Sequence, residues 1–232
     1  MRLLLPSHVH LAVLGDDVVF LDVAADAYAC VPGGADLLRP APDRRWLAPV
    51  HPSVGEALIA AGLAADASGD GPAAGATRAL GPRGLPAPRR DIPPKPSRDL
   101  ASGEDRPTLR ERVRLLLAFG DYLRFYRGRT FAEVLSWAAP RPSAGGVPDP
   151  REAQRLARLF ERCAIWLPLP GKCLARSFVL LRFLQRSGSG AVWVFGVRTW
   201  PFSAHCWLQS GEVALDDFAE RLVPYEPILA LA

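Results

Sequence analysis

The sequence predicts an α+β chain of two modules joined by a linker. Three observations carry that expectation. Residues 8–65 hold three short strand-like segments and then a stretch with helical apolar spacing. Residues 68–106 are rich in Pro, Gly and small side chains and nearly devoid of large apolar ones. Residues 107–232 open with helical patterns and close with a strand, a hairpin and a last strand.

Taken in order, "HVHLAVL" alternates and runs into a Gly-Asp-Asp turn. "VVFLDV" follows, then "AADA" as a turn and "YACV" as a third strand, which makes a small meander. Val54, Leu58, Ile59 and Leu63 then recur at helical spacing, with Gly62 weakening the end. Three strands with helices behind them make residues 1–67 a small winged-helix-like module. Residues 68–106 cannot bury enough apolar surface to offset the entropy of ordering, so they read as a flexible linker and domain boundary.

Order resumes at Pro107. Thr108 opens a helix whose Leu109, Val113, Leu116 and Leu117, then Tyr122 and Phe125, lie on one broad face, the face that such spacing assigns to the core. Thr130 caps a shorter helix that Pro140 ends, and "PRPSAGGVPDP" is a loop. Asp149 and Pro150 start a third helix with a stripe of Leu156, Leu159, Phe160 and Cys163. "CLARSFVLLRFLQRSG" is apolar around most of its circumference, the mark of a helix buried on nearly all sides. "AVWVFGVRT" is a strand, "AHCWLQ" and "EVALDD" form a hairpin about a Ser-Gly turn, and "PYEPILALA" is the final strand.

Composition narrows the function classes. The chain has 232 residues, 49% of them hydrophobic, enough for a real core. Its net charge of +4 is carried almost wholly by Arg, with Lys95 and Lys172 the lysines, and no Lys/Arg-rich recognition helix stands out. Nucleic acid is therefore not an expected partner. No apolar run approaches the ~18 residues of a membrane-spanning helix. "MRLLLPSHVH" lacks the apolar region and cleavage site of a signal peptide. A cytoplasmic protein with no membrane partner is expected, with its four cysteines, Cys30, Cys163, Cys173 and Cys206, reduced. No pair has CxxC spacing, so no metal site and no cofactor is expected.

The last sixty residues carry the chemistry. Cys173 opens the buried helix, His205 follows on a strand, and Asp216 and Asp217 follow on the next strand. A free thiol titrates near ~8.5, so little of it is thiolate at neutral pH. Unpaired N–H groups and the partial positive charge of a helix N-terminus favour the anion, and Lys172 beside it is a candidate for further support. A protonated His205 would stabilise the thiolate and then donate to a leaving amine. An acid on the paired strand would orient the imidazole. Asp216 and Asp217 point opposite ways on a strand, so one faces His205 and the other is solvated. The Cys173 N–H is a candidate oxyanion donor. By the same alternation Cys206 points away from the His205 face and reads as a packed small residue, as do Cys30 and Cys163.

The stretch "GKCLARSFVLLRFLQRSG…VWVFGV…FSAHCWLQSGEVALDDFAERLVPYEPI" resembles the transglutaminase-like cysteine peptidase domain of lasso-peptide maturation B proteins. The resemblance covers roughly residues 107–232 and implies a papain/transglutaminase-like domain: a helical half with Cys173 as nucleophile at a helix start, and an antiparallel sheet with His205 as acid/base. A hydrophobic-Asn-Asp ending reads Leu-Asp-Asp here, so the resemblance places Asp217 as the triad acid and Asp216 in the Asn position. "VVFLDVAADAYACV" is similar to the RiPP recognition element, which binds a leader peptide as an added strand. That likeness implies a leader groove between strand 26–31 and helix 53–62, with Tyr28, Cys30 and Leu58 as contacts. It further implies a ribosomal precursor peptide as substrate and an asparagine-synthetase-like cyclase as partner. The expected function is leader cleavage in lasso-peptide biosynthesis. The rivals are an acyltransferase of the same fold and a non-catalytic peptide-binding scaffold.

Overall fold

The computed structural model describes residues 1–67, 92–139 and 149–231. The chain divides into two compact units. The first combines the N-terminal residues with Val197–Ser203; the second holds the rest.

In the first unit, β2 (Val9–Leu14), β3 (Asp17–Asp22) and β4 (Ala27–Val31) form an antiparallel meander in that order. Gly15, at φ 57, makes the tight β2–β3 turn that a side chain would resist. The Asp22 carboxylate accepts from the N–H groups of Ala24 and Ala25 and shapes the β3–β4 turn. A second sheet was not legible in the sequence. It runs β5 (Leu38–Pro40), β6 (Trp46–Pro49), β1 (Leu3–Leu4) and β7 (Ala65–Asp66), with α1 (Gly34–Leu37) leading into β5. Its strands of two to four residues are too short to show a period. α2 (Pro52–Ala60) is capped by the His51 ring, which accepts from the Ser53 N–H. Leu3, Val9, Leu11, Phe20, Leu47 and Leu58 meet in one core.

In the second unit, capping boxes start α3 (Leu109–Phe125) and α4 (Phe131–Ala138): Thr108 with Glu111, and Thr130 with Glu133. α5 (Pro150–Ala164) starts at Asp149, whose carboxylate accepts from the Arg151 N–H. α6 (Cys173–Arg186) is the central helix, and α3, α4 and α5 all pack on it. Its buried face includes Phe178, Leu180, Phe183 and Leu184. The unit's sheet runs β10 (Val213–Ala214), β9 (Ser203–Ser210), β8 (Val192–Arg198) and β11 (Glu226–Leu231), with β10 antiparallel to β9. Consecutive buried residues in β8 (Trp193, Val194, Phe195) and β11 (Ile228, Leu229, Ala230) mark strands covered on both faces. A one-turn α7 (Ala219–Leu222) precedes β11.

Two expectations change, and one falls outside the described residues. The linker expected over 68–106 lies outside the described residues at 68–91, and the remainder is pinned to the second unit. The N–H groups of Ser97 and Arg98 donate to the Glu212 carbonyl, and the Ala214 N–H donates to the Arg98 carbonyl. Gln209 Nε2 donates to the Pro94 carbonyl at 3.0 Å, and the Asp99 carboxylate accepts from the Ala219 N–H at 2.7 Å. Backbone groups hold this segment, which is why a reading of apolar content missed it. Second, the loop expected before Asp149 falls on residues 140–148, outside the described ones. Third, α3 is turned over along its first half, while Tyr122 of the expected face is buried. Glu111, Leu115, Ala118, Asp121 and Tyr122 face inward, and Leu109, Val113, Leu116 and Leu117 are exposed. Ion pairing sets that rotation. Asp121 accepts from Arg182 Nε at 2.9 Å and Arg186 Nη2 at 2.7 Å, and Glu111 accepts from Arg155 Nη2 at 2.5 Å.

Burial pushes the Asp121 carboxyl up, but its hydrogen bonds from Arg186 and Arg182 and their charges win and hold it below the usual carboxylate range. Asp121→Ala leaves the buried Arg182 guanidinium without its counter-charge. A loss of roughly 3–5 kcal/mol is expected, read as a lower urea midpoint at unchanged slope.

Candidate active site

The site is built where α6 begins. Lys172 is the N-cap residue, makes no side-chain cap, and no acid sits in the first turn. No side chain therefore caps the first N–H groups of α6, whose first helical residue is the half-buried Cys173. β9 brings His205 and Cys206 to the thiol. Cys173 is lowered to about 4. The hydrogen bond from the Cys206 thiol is the largest cause; burial opposes it; hydrogen bonds from His205 and the Cys206 backbone, and the His205 charge, add to it. Cys206 itself is pushed well up, by burial first and then by its place beside the Cys173 sulfur. The two thiols are thus driven apart, Cys173 toward the thiolate and Cys206 toward the neutral thiol.

His205 Nε2 lies 2.6 Å from Asp217 Oδ2. That leaves Nδ1 for the thiol. Burial lowers the imidazole's affinity for a proton, but hydrogen bonds to Cys173 and Asp217 and their charges outweigh it, so the pKa is raised above 6.5. Asp217 is fixed in turn by the Phe218 N–H, which donates to its Oδ1 at 2.7 Å, with Arg221 Nη1 3.9 Å away. The His205 ring centroid is 5.3 Å from that of Tyr225 and 6.4 Å from that of Trp207. Gly196 on β8 makes room for that tryptophan: a Cβ there would sit 2.8 Å from its ring.

Asp216 does not reach the imidazole, and the expectation that it is solvated is corrected. β10 ends at Ala214, so Asp216 and Asp217 lie past the ladder and strand alternation does not govern them. Asp216 Oδ2 accepts from Ser177 Oγ at 2.5 Å, and its Oδ1 accepts from the Leu208 N–H at 2.8 Å. Ser177 is one turn beyond Cys173 on α6, and Cys206 Sγ lies 4.0 Å from its hydroxyl. The carboxyl thus ties the helix of Cys173 to the strand of His205. Burial raises it to about 6, against the hydrogen bonds from Ser177 and Leu208. Asp216→Asn keeps an acceptor for Leu208 and a partner for Ser177, so near-natural Cys173 reactivity is expected. Asp216→Ala leaves both donors unmatched, a cost of about 1–3 kcal/mol, and should slow alkylation of Cys173 at neutral pH. Iodoacetamide rates for the two variants check this.

Lys172 is exposed, and the support for the thiolate comes from Cys206 and His205 instead. Cys206 is the group that sequence reasoning missed. Its adjacency to His205 was the available signal, and strand alternation argued it away.

Of the three expected leader contacts, Leu58 is 5% exposed and belongs to the hydrophobic core, so it cannot line a groove. Tyr28 and the exposed Cys30 do line an apolar cavity of about 130 Å³ with Thr199, Trp200 and Phe202, all in the first unit. Trp200 Nε1 donates to Asp17 Oδ2 at 2.7 Å, and Tyr28 and Phe202 have ring centroids 5.4 Å apart. Among the described residues no group of His, Cys, Asp and Glu could hold a metal ion, and no helix is long and apolar enough to cross a membrane.

Residues 115–230 match the family model of the transglutaminase-like superfamily. The chain belongs to that superfamily. The matched span contains Cys173, His205, Asp216 and Asp217. Transglutaminase-like proteins are typically cysteine peptidases or acyltransferases. No curated protein and no solved structure matches the chain.

Proposed function

We propose that this transglutaminase-like protein is the leader peptidase of a lasso-peptide pathway, with Cys173, His205 and Asp217 as its catalytic residues. One observation carries the reading: a helix-start thiol lowered to about 4 beside an imidazole whose far nitrogen is 2.6 Å from a carboxylate. That is the arrangement of an activated sulfur nucleophile with its proton donor in place.

The Cys173 sulfur attacks the scissile carbonyl carbon, and the first α6 N–H groups receive the oxyanion. The C–N bond breaks as His205 passes its Nδ1 proton to the leaving amine. Neutral His205 then takes a proton from water, whose oxygen attacks the thioester, and sulfur leaves as thiolate. Asp217 holds the ring through both steps and favours its charged form.

Leader recognition falls to the N-terminal module, acting as a RiPP recognition element of winged-helix type. The leader adds to the β4 edge and places an apolar side chain in the cavity at Tyr28 and Cys30. The freed core peptide passes to an asparagine-synthetase-like cyclase that closes its macrolactam ring.

The test is incubation of the full chain with its precursor peptide, followed by mass spectrometry. Two linear fragments whose masses sum to precursor plus water support the peptidase. A product joined to an added amine assigns the acyltransferase instead. Precursor that stays intact with the natural chain, and with the cyclase added, contradicts the proposal.

A further inference from the structure

The overturned helix α3 carries a feature that the catalytic site does not use. Leu109 is 78% exposed, Leu116 is 62% exposed, and Val113, Leu117 and Leu123 are each at least 47% exposed. At helical spacing they form one stripe, with exposed Gly120 in its middle. From Leu109 to Leu123 it runs about 21 Å at 1.5 Å per residue. A contiguous exposed apolar face of this kind marks an interaction surface.

Charge says what covers it. Arg110 and Arg112 flank the stripe on opposite sides, and Arg124 and Arg127 stand at its far end, all exposed. The two acids of α3, Glu111 and Asp121, are buried and already paired with Arg155, Arg182 and Arg186. Every exposed residue from Leu109 to Arg129 is apolar, glycine or arginine. A second copy would set arginine against arginine. A nucleic acid would leave the leucines in water. A partner protein would need a cleft shaped to this ridge, whereas the fluid acyl boundary of a bilayer accepts it as it is. Long Arg side chains on both flanks reach headgroup phosphates while the leucines between them sit deeper.

We infer that the outward face of α3 docks on an anionic phospholipid bilayer, with the Leu109–Leu123 stripe at the acyl boundary and Arg110, Arg112, Arg124 and Arg127 on lipid phosphates. Contact is peripheral, since no described helix can span a membrane. The sequence reading looked only for a spanning segment and took these leucines for a core face, so it expected no membrane partner.

Flotation of the full chain with extruded vesicles tests this. Vesicles of phosphatidylglycerol with phosphatidylcholine should carry the protein up the gradient at least about tenfold more than phosphatidylcholine alone, and added salt should release it. Leu116→Ser/Leu123→Ser should cut the bound fraction about tenfold at unchanged circular dichroism and melting temperature. Arg112→Gln/Arg124→Gln should do the same on the anionic vesicles only. Failure to float with the anionic vesicles, or flotation that neither double variant reduces, overturns the inference. So does self-association that the leucine variant abolishes, which assigns the face to a second copy. Leucine-dependent binding to a Leu/Glu amphipathic helical peptide without vesicle binding assigns it to a partner protein. A leucine variant that loses its folded spectrum shows that the stripe is buried in solution, and overturns the inference as well. None of these readouts depends on peptidase activity.

Discussion

The Cys173→Ala chain is expected to bind precursor peptide as tightly as the natural protein and to release no cleaved product. With the sulfur gone there is no nucleophile and no thioester, so the two-step path closes altogether. A loss on the order of 10⁴-fold or more in turnover is expected, by analogy with other nucleophile deletions, which corresponds to roughly 5–6 kcal/mol of transition-state stabilisation. Binding should be spared, because the proposed leader cavity at Tyr28 and Cys30 belongs to the first unit and Cys173 to the second. The measurement is a single-turnover assay beside a fluorescence titration of labelled precursor. A scaffold would keep its cellular function after the same change, so product analysis in the producing cell separates the two readings.

His205→Ala is the second large effect. The substitution removes one of the groups that favour the thiolate, Cys206 being the larger, and the proton that the departing amine needs. General acid–base groups contribute typically ~10²–10⁴-fold, and a loss of that order is expected at neutral pH. Combining it with Cys173→Ala should add almost nothing, since the two act as one unit. Asp217→Asn is the graded companion. An amide aimed at Nε2 donates where the carboxylate accepted, so the imidazolium is disfavoured and the thiol pKa climbs. In the natural protein the rate should rise as Cys173 ionises near pH 4, and fall only where His205 gives up its proton, above 6.5. Both Asp217→Asn and His205→Ala should move the acidic limb to higher pH.

The order of Cys173, His205 and Asp217 along the chain was legible because each sits beside a strong local signal. A Pro-Gly-Lys turn precedes a long apolar run, and a Ser-Gly turn separates two alternating segments. The helix starts at Thr108, Thr130 and Asp149 were legible for the same reason, since capping is local chemistry. What failed was whatever depended on a partner far along the chain. The rotation of α3 is set by Arg155, Arg182 and Arg186, which its own periodicity cannot reveal. Strand alternation separates Cys206 from His205, but it cannot say that Ser177 and Cys173 of α6 lie where that thiol points. Asp216 was taken for a solvated neighbour because its binding partners, Ser177 and the Leu208 N–H, come from two other elements. Residues 94–105 were taken for a tether because backbone groups, which composition does not register, hold much of that segment.

The central claim is that one sulfur is ionised by its surroundings at the start of α6. The pH dependence of Cys173 alkylation by iodoacetamide, with the label located by peptide mapping, reads this directly and needs no substrate. The account predicts a rate midpoint near pH 4, several units below that of an ordinary thiol, and a midpoint shifted upward in His205→Ala. A midpoint at the ordinary thiol value of ~8.5, unchanged by His205→Ala, would contradict it.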